Sequence, residues 1–381
     1  MSLPRFVRFL KIDFRGSHKS SLALYCISGY NKCYMQVIPN TNGGVTMSNV
    51  IKVVVDAMGG DNAPEAPIKG AVEALGEVSN LEIILTGRTD DINKELGKYT
   101  YDRNRLNIVH ADDVIGFDEP PVMAIRKKKN SSIVVGMNLV KRGEADAFVS
   151  SGSTGAILVG GQFVVGRIKG VERSPLAPLI PTAKGPALLI DCGANVDARA
   201  SHLVQFAKMG SIYMKYVTGV KNPRVAIVNI GAEEEKGNML VKETYPLLKE
   251  CTDINFTGSI EARDIPKGDA DVIVCEAFVG NVILKLYEGL ASTLLGKVKE
   301  GLMSTLRSKI GALLIKPALK KTLKQFDTSE QGGAPLLGLN GLVVKAHGSS
   351  GSLEIKQAIK QCLQFGEEKI NEKIKENLTI E

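Results

Sequence analysis

The sequence predicts a doubly wound α/β fold: a mostly parallel sheet covered by helices on both faces. Three observations carry the prediction. Apolar, β-branched runs of about four residues recur along the chain, helical segments separate them, and each run stops at Gly, Asn, Asp or Ser. Short continuous apolar runs fit strands buried on both faces, because a strand with one wet face alternates apolar and polar residues instead. Strands alternating with helices are the α/β pattern.

Taken in order, Val53-Val54-Val55 is the first strand, closed by a Gly-Gly-Asp turn and followed by a helix from about Pro67. Leu81 to Leu85 is the next. Ala145 to Val149 enters a Gly/Ser loop that gives way to an apolar helix from Ala156, and similar runs follow at Ala187 to Ile190, Val225 to Val228 and Val272 to Cys275. Ligands of open parallel sheets bind beyond the carboxyl ends of the strands, so the loops there are where chemistry is expected. They are Asp56 to Asp61, with Gly59 and Gly60; Ser150 to Gly155; Asp191 to Asp197, with Asn195; Asn229 to Asn238, with Glu234 and Lys236; and Glu276 to Asn281. Any one of them could be an ordinary strand-to-helix turn. Five in succession point to a site.

Among these loops, Ser151-Gly152-Ser153-Thr154-Gly155 is the best anion site. Its glycines let backbone approach a ligand, its amides stand at a helix start, and its hydroxyls add donors. It lacks the G-K-[ST] ending of a nucleotide loop and is not G-x-G-x-x-G, which favours inorganic phosphate or a small phosphorylated ligand over ATP or NAD.

Composition narrows the classes further. The chain has 381 residues, 44% hydrophobic and 23% charged, which is globular. Its net charge of +7 is concentrated: residues 1–46 hold six Lys or Arg against Asp13, and residues 290–325 hold eight against Glu300, leaving the rest mildly acidic. That distribution argues against a broad nucleic-acid footprint. Six cysteines without a C-x-x-C, and four histidines without H-E-x-x-H, point to a reducing compartment and away from a metal site. No stretch approaches the ~20 uninterrupted apolar residues of a membrane-spanning helix, so a cytoplasmic protein, at most peripheral to a membrane, is expected.

Residues 1–46 differ from the domain expected over 47–381. They are basic, poor in acids and end in the turn-like run Pro39 to Gly44. Three readings stay open: an upstream start with Met47 as the initiator, a transit-type leader, or an extra structural element.

Val55 to Asp61, Asp191 to Asp197, Asn229 to Asn238, Gly258 to Asp264, Phe278-Val279-Gly280-Asn281, Gly332 to Gly338 and Lys345-Ala346-His347-Gly348-Ser349-Ser350 resemble the successive motifs of the acyl carrier protein:phosphate acyltransferase family, PlsX. The resemblance runs from about Met47 to about Glu368 with the motifs in family order. It implies a dimeric, three-layer α/β/α enzyme related to phosphotransacetylases. Such an enzyme needs no cofactor and moves a long-chain acyl group from acyl carrier protein to inorganic phosphate, feeding a downstream glycerol-3-phosphate acyltransferase. Two departures stand out: residues 1–46 have no counterpart, and Cys192 occupies a position where the family often has Val, which counts against an obligatory Cys192 nucleophile.

A thioester is already activated, so the protein need only hold phosphate against the carbonyl and stabilise the oxyanion. The residues expected to do so are Lys236 as the cation, Asn229, Asn238 and Asn281 as neutral donors, and backbone N–H groups from Gly152 to Gly155. Each also has a structural reading. Lys236 follows three glutamates and could be a solvated charge; Asp56 and Asp197 could cap helices. His347 is either an acid–base group or a loop histidine bonded to hydroxyls, and Cys275 is expected buried and inert. The nearer alternative function is a phosphotransacetylase-like enzyme for small acyl-CoA, which a closed small pocket would favour and a wide apolar groove would not. The remote one is a non-catalytic scaffold for lipid-synthesis proteins.

The basic segment 290–326 repeats Leu290, Leu294, Val298, Leu302, Leu306, Ile310 and Leu314 every four residues. A strict repeat of four drifts about 40° per step on a helix, so a break near Gly301 or Gly311 is expected, giving two amphipathic helices that project as a hairpin. Dimerisation, docking of the acidic carrier protein and adsorption to an anionic bilayer are the uses it suggests.

Overall fold

A computed structural model describes residues 50–323 and 332–378. The chain divides into the units Met1–Ser48 and Asn49–Glu381, and all described elements belong to the second. The three readings of residues 1–46 therefore lie outside the described residues, as do positions 324–326 of the basic segment.

The elements alternate as predicted. They are β1 (Ile51–Asp56), α1 (Glu65–Glu77), β2 (Leu81–Gly87), α2 (Thr89–Leu96), β3 (Leu106–His110), α3 (Pro121–Lys127), α4 (Ser132–Lys141), β4 (Ala147–Ser150), α5 (Thr154–Gly160), β5 (Leu179–Thr182) and β6 (Gly185–Ile190). Then follow α6 (Ala200–Tyr216), β7 (Arg224–Asn229), α7 (Met239–Glu250), β8 (Asn255–Glu261), β9 (Val272–Val274), α8 (Ala277–Leu302), α9 (Leu306–Leu323), β10 (Ala334–Leu336), β11 (Leu342–Lys345), α10 (Ser352–Glu367) and α11 (Ile370–Leu378).

The strands form two sheets, ordered β10-β11-β4-β1-β2-β3 and β5-β6-β9-β7-β8. All neighbours pair in parallel except the edge strands β10 and β5. The run Val53-Val54-Val55 explains the layering, because successive strand residues point to opposite faces. Val53 and Val55 enter a core shared with Ala71 and Leu75 of α1 and Ile359 of α10, while Val54 enters another with Ile133 and Met137 of α4. In the second sheet Leu188, Ile190, Val225 and Ile227 face the first of those cores, where Phe206 and Tyr213 of α6 lie. Ala187, Leu189 and Ile273 face a third, closed by Val279 and Ile283 of α8. Each sheet is thus covered on both faces, a three-layer α/β/α arrangement.

The break in the basic segment falls just after Gly301: α8 ends at Leu302, and Thr305 Oγ1 accepts from Ser308 N at 3.1 Å to start α9, which carries Gly311 in its interior. Only Ala277 and Gly280 of α8 are buried, so the helix leaves the body with Leu286, Leu290, Leu294 and Val298 exposed along it. By length and composition α8 is long and apolar enough to cross a membrane. A search for uninterrupted apolar runs misses it because Lys285 and Glu288 fall inside it.

Candidate active site

The site begins where β1 and β4 end side by side. Their parallel pairing brings Asp56 next to Ser150, whose Oγ donates to Asp56 Oδ2 at 2.6 Å, while Met58 N donates to Oδ1 at 3.0 Å. Burial raises the pKa of the Asp56 carboxyl, and these donors push the other way. Ser150 Oγ also accepts from Gly152 N at 3.0 Å, and Ser151 Oγ donates to the Gly59 carbonyl at 2.7 Å. Position 59 requires glycine, since a Cβ there would lie 2.4 Å from Asp56 Oδ2 and 2.7 Å from Gly152 N. Gly60 beside it rests against Ser151 and the Gly348 carbonyl.

This wiring uses groups expected to hold phosphate. The Ser151 hydroxyl and Gly152 amide are bonded within the protein, and Ser153 Oγ accepts from Ala156 N at 3.4 Å as the cap of α5. Gly155 abuts Pro121, and Thr154 alone of the five is exposed. Asp56 caps no helix, because α1 starts only at Glu65, and neither does the exposed Asp197, because Arg199 precedes α6.

A second junction forms at the end of β6. Asp191 Oδ1 accepts from Leu176 N, Gly193 N and Ala194 N at 2.9, 3.2 and 3.1 Å, and Oδ2 from Asn195 N and Nδ2 at 2.8 and 2.7 Å. Burial raises this carboxyl's pKa against the pull of those donors. The Asn195 amide is committed here and to the Ser174 carbonyl. The first turn of α8 packs onto the same point: a Cβ at Gly280 would meet the Asp191 carbonyl oxygen at 1.9 Å, so only glycine lets the helix start there. Glu276 caps that helix by accepting from Val279 N at 3.0 Å. Burial pushes the Cys192 and Cys275 thiols well up, so neither presents a thiolate.

Between these junctions and the α8–α9 pair opens a hollow of about 1270 Å³. Thr154, Asn281, Lys345, His347 and Ser350 give it polar groups; Leu176, Pro178, Leu284, Ala291, Leu295 and Leu319 give it apolar wall. Along α8 its lining recurs at Asn281, Leu284, Glu288, Ala291 and Leu295, one helix face. At ~1.5 Å per residue that face runs about 21 Å. His347 lines the hollow and is also bonded within its loop, Nδ1 to Ser349 Oγ at 2.8 Å.

The loop after β7 forms a separate group. Asn229 Nδ2 donates to the Lys236 carbonyl and to Ser259 Oγ, both at 3.1 Å, and Asn238 Oδ1 accepts from Val241 N at 2.9 Å as the cap of α7. Lys236 Nζ pairs with Glu233 at 2.7 Å with its side chain 48% exposed, and that carboxylate raises its pKa. Glu234 pairs with Lys249 at 3.0 Å. None of Asn229, Glu234, Lys236 and Asn238 is among the residues that line the hollow. The structure brings together Thr154, Asn281 and His347, with Asp56, Gly59, Gly60, Ser151, Gly152 and Asn195 woven behind them.

Of the motif Lys345 to Ser350 only His347 is expected at the site from the sequence; Lys345 and Ser350 line the hollow as well. The signal was present, since Leu342-Val343-Val344 is an apolar run of the same kind as the others and ends in the loop Lys345 to Ser350.

Residues 51–373 match the family model described as fatty acid synthesis protein. The phosphate acyltransferase of Clostridium novyi (strain NT) is 52% identical over 328 residues, covering 86% of this chain and 98% of that protein. That of Clostridium beijerinckii (strain ATCC 51743 / NCIMB 8052) is 51% identical over 332 residues, 87% of this chain and 100% of that protein. Among solved structures, a phosphotransacetylase from Streptococcus pyogenes superposes with a TM-score of 0.54 at 18% identity, over 82% of this chain and 93% of that one. A branched-chain phosphotransacylase from Enterococcus faecalis V583 does so with 0.50 at 17%, over 82% and 98%.

Proposed function

The chain belongs to the fatty acid synthesis protein family, the PlsX-type phosphate acyltransferases, and from that premise we propose that it transfers a long-chain acyl group from acyl carrier protein to inorganic phosphate for phospholipid synthesis. A phosphate oxygen attacks the thioester carbonyl carbon, the tetrahedral oxyanion collapses, the carbon–sulfur bond breaks and the carrier thiolate leaves with the bonding pair. The hollow carries this reading: a groove that runs some 21 Å along α8, with Asn281 at one end, Glu288 partway along and apolar wall from Leu284, Ala291, Leu295 and Leu319, opens beside polar groups at the ends of β4 and β11. A long acyl chain fits such a groove. A small acyl-CoA reading calls for a closed pocket instead.

Within the reading Thr154, Asn281 and His347 face the substrates, and amides of the first turn of α5 add donors. Lys236 with Asn229, Asn238 and Glu234 is a second group at the strand ends, whose part Lys236→Ala tests. Lys285, Lys316 and Lys320 on the α8–α9 rim suit an acidic carrier protein. Exposed Leu306, Ile310, Leu313 and Leu314 suit a second copy in a homodimer or a bilayer surface, which fits a cytoplasmic enzyme passing acyl-phosphate to a membrane-bound glycerol-3-phosphate acyltransferase. Incubation with palmitoyl-carrier protein and phosphate is expected to give hydroxylamine-sensitive acyl-phosphate and free carrier thiol in equal amounts; no product with competent substrate rejects the proposal.

A further inference from the structure

Lys345 is the last residue of β11, and its position follows from strand pairing. β11 lies parallel beside β4 with Lys345 opposite Ser150, and Ala346 N donates to the Ser150 carbonyl at 2.9 Å. The loop that begins at Lys345 therefore runs next to the loop that begins at Ser150. Its course is fixed from β1's side: Asp61 N donates to the Gly348 carbonyl at 2.8 Å, and Asn62 Nδ2 to the carbonyls of Ser349 and Ser350 at 3.0 and 3.2 Å.

Two groups in this loop have unmet bonding capacity and line the hollow. The Lys345 side chain is buried, the residue only 8% exposed, and its ammonium donates to the Ala346 carbonyl without forming any ion pair among the described residues. Ser350 Oγ is buried with no hydrogen-bond partner among the described residues. A buried ammonium without a counter-ion and a buried hydroxyl without a partner are each costly to the fold, and an anion in the hollow would satisfy both. The surroundings are mixed: Lys285 of α8 adds positive potential, while Asp56 and Asp61 add negative. Burial is the main reason the Lys345 pKa falls, to about 8.

We propose that Lys345 and Ser350 form the anion subsite of the hollow and hold the inorganic phosphate, beside Thr154 and within reach of an acyl thioester in the groove. The inference rests on the acyl-to-phosphate reading for the identity of the anion. It assigns the cation to β11, at a site separate from the Lys236–Glu233 pair.

The experiment varies phosphate at saturating palmitoyl-carrier protein in the wild type, Lys345→Met and Ser350→Ala, each checked for native circular dichroism, and repeats the phosphate titration calorimetrically without the acyl donor. Loss of a hydrogen bond to a charged group predicts that KM for phosphate rises roughly ten- to hundredfold in Lys345→Met and roughly five- to tenfold in Ser350→Ala. KM for the acyl donor is expected to stay near the wild-type value, and calorimetric phosphate binding to weaken in parallel. An unchanged phosphate KM in both variants, or a change confined to the acyl donor, overturns the assignment. Should Lys345→Met not fold, Ser350→Ala decides by the same readouts. A wild type that makes no acyl-phosphate yet binds phosphate through Lys345 refutes the reaction and leaves the subsite standing.

Discussion

A lysine kept unpaired in a buried place for the sake of a ligand weakens the empty protein, and that cost is measurable. The Lys345 pKa falls from 10.5 to about 8, which at ~1.4 kcal/mol per unit is roughly 3 kcal/mol of preference for the neutral amine over the ammonium. Lys345→Met keeps most of the aliphatic stem and removes the charge, at a cost of roughly 1 kcal/mol for the Ala346 carbonyl that loses its donor. The net expectation is that the phosphate-free variant is more stable than the wild type by about 2 kcal/mol at pH 7. The sign with pH follows from proton binding. The folded pKa lies below the unfolded one, so between about pH 8 and 10.5 the unfolded wild type holds more protons and the folded state gains stability as pH rises. The variant's advantage should therefore be full below pH 8, vanish between pH 8 and 10.5, and turn into a deficit of roughly 1 kcal/mol by pH 10.5, where the wild type has regained its ~3 kcal/mol and the variant still lacks the Ala346 hydrogen bond. Urea denaturation of both proteins across pH 7–10.5 measures it. Saturating phosphate should then stabilise the wild type by ~2.7 kcal/mol at 100 Kd and the variant far less. A variant less stable than the wild type at pH 7, or a difference that does not change with pH, refutes the reasoning.

Three further outcomes follow from the same geometry. kcat/KM for phosphate should fall as pH rises through about 8, where free Lys345, facing Lys285, Asp56 and Asp61, loses its proton; Lys345→Arg, which stays charged, should remove that limb of the profile. Lys236→Ala removes a half-exposed ion pair and should change stability by less than ~0.5 kcal/mol, with a phosphate KM close to the wild-type value; a loss as large as that of Lys345→Met gives the anion role to Lys236. Ala291→Phe narrows the groove along α8 and should move acyl preference toward shorter chains, with each excluded methylene worth ~0.8 kcal/mol, or roughly fourfold in kcat/KM; an unchanged chain-length profile would mean the acyl chain lies elsewhere.

Much of this molecule is legible from the residues alone, for a physical reason. A strand buried on both faces must be continuously apolar, and a turn at its end must be polar or glycine, so β1, β2, β4, β6, β7 and β9 and the loops behind them announce themselves locally. Weaker patterns belong to β3, with Asn107 and His110 on a sheet edge, and β8, which carries Gly258 at φ +100° in an edge strand. Which strand lies beside which is decided by contacts far apart in sequence. The pairing of β11 with β4 sets Lys345 against Ser150, and no local pattern encodes it. Solvation is equally non-local. Lys236 and Lys345 are the same residue type beside Gly-containing loops, yet one is half exposed and pairs with Glu233 while the other, at the end of β11, is buried and forms no ion pair among the described residues. The sequence by itself determined the layers, the strand-end loops and the family. Only the tertiary structure decided which hydroxyls and amides were already spent on the fold and which charge was left buried for a ligand to satisfy.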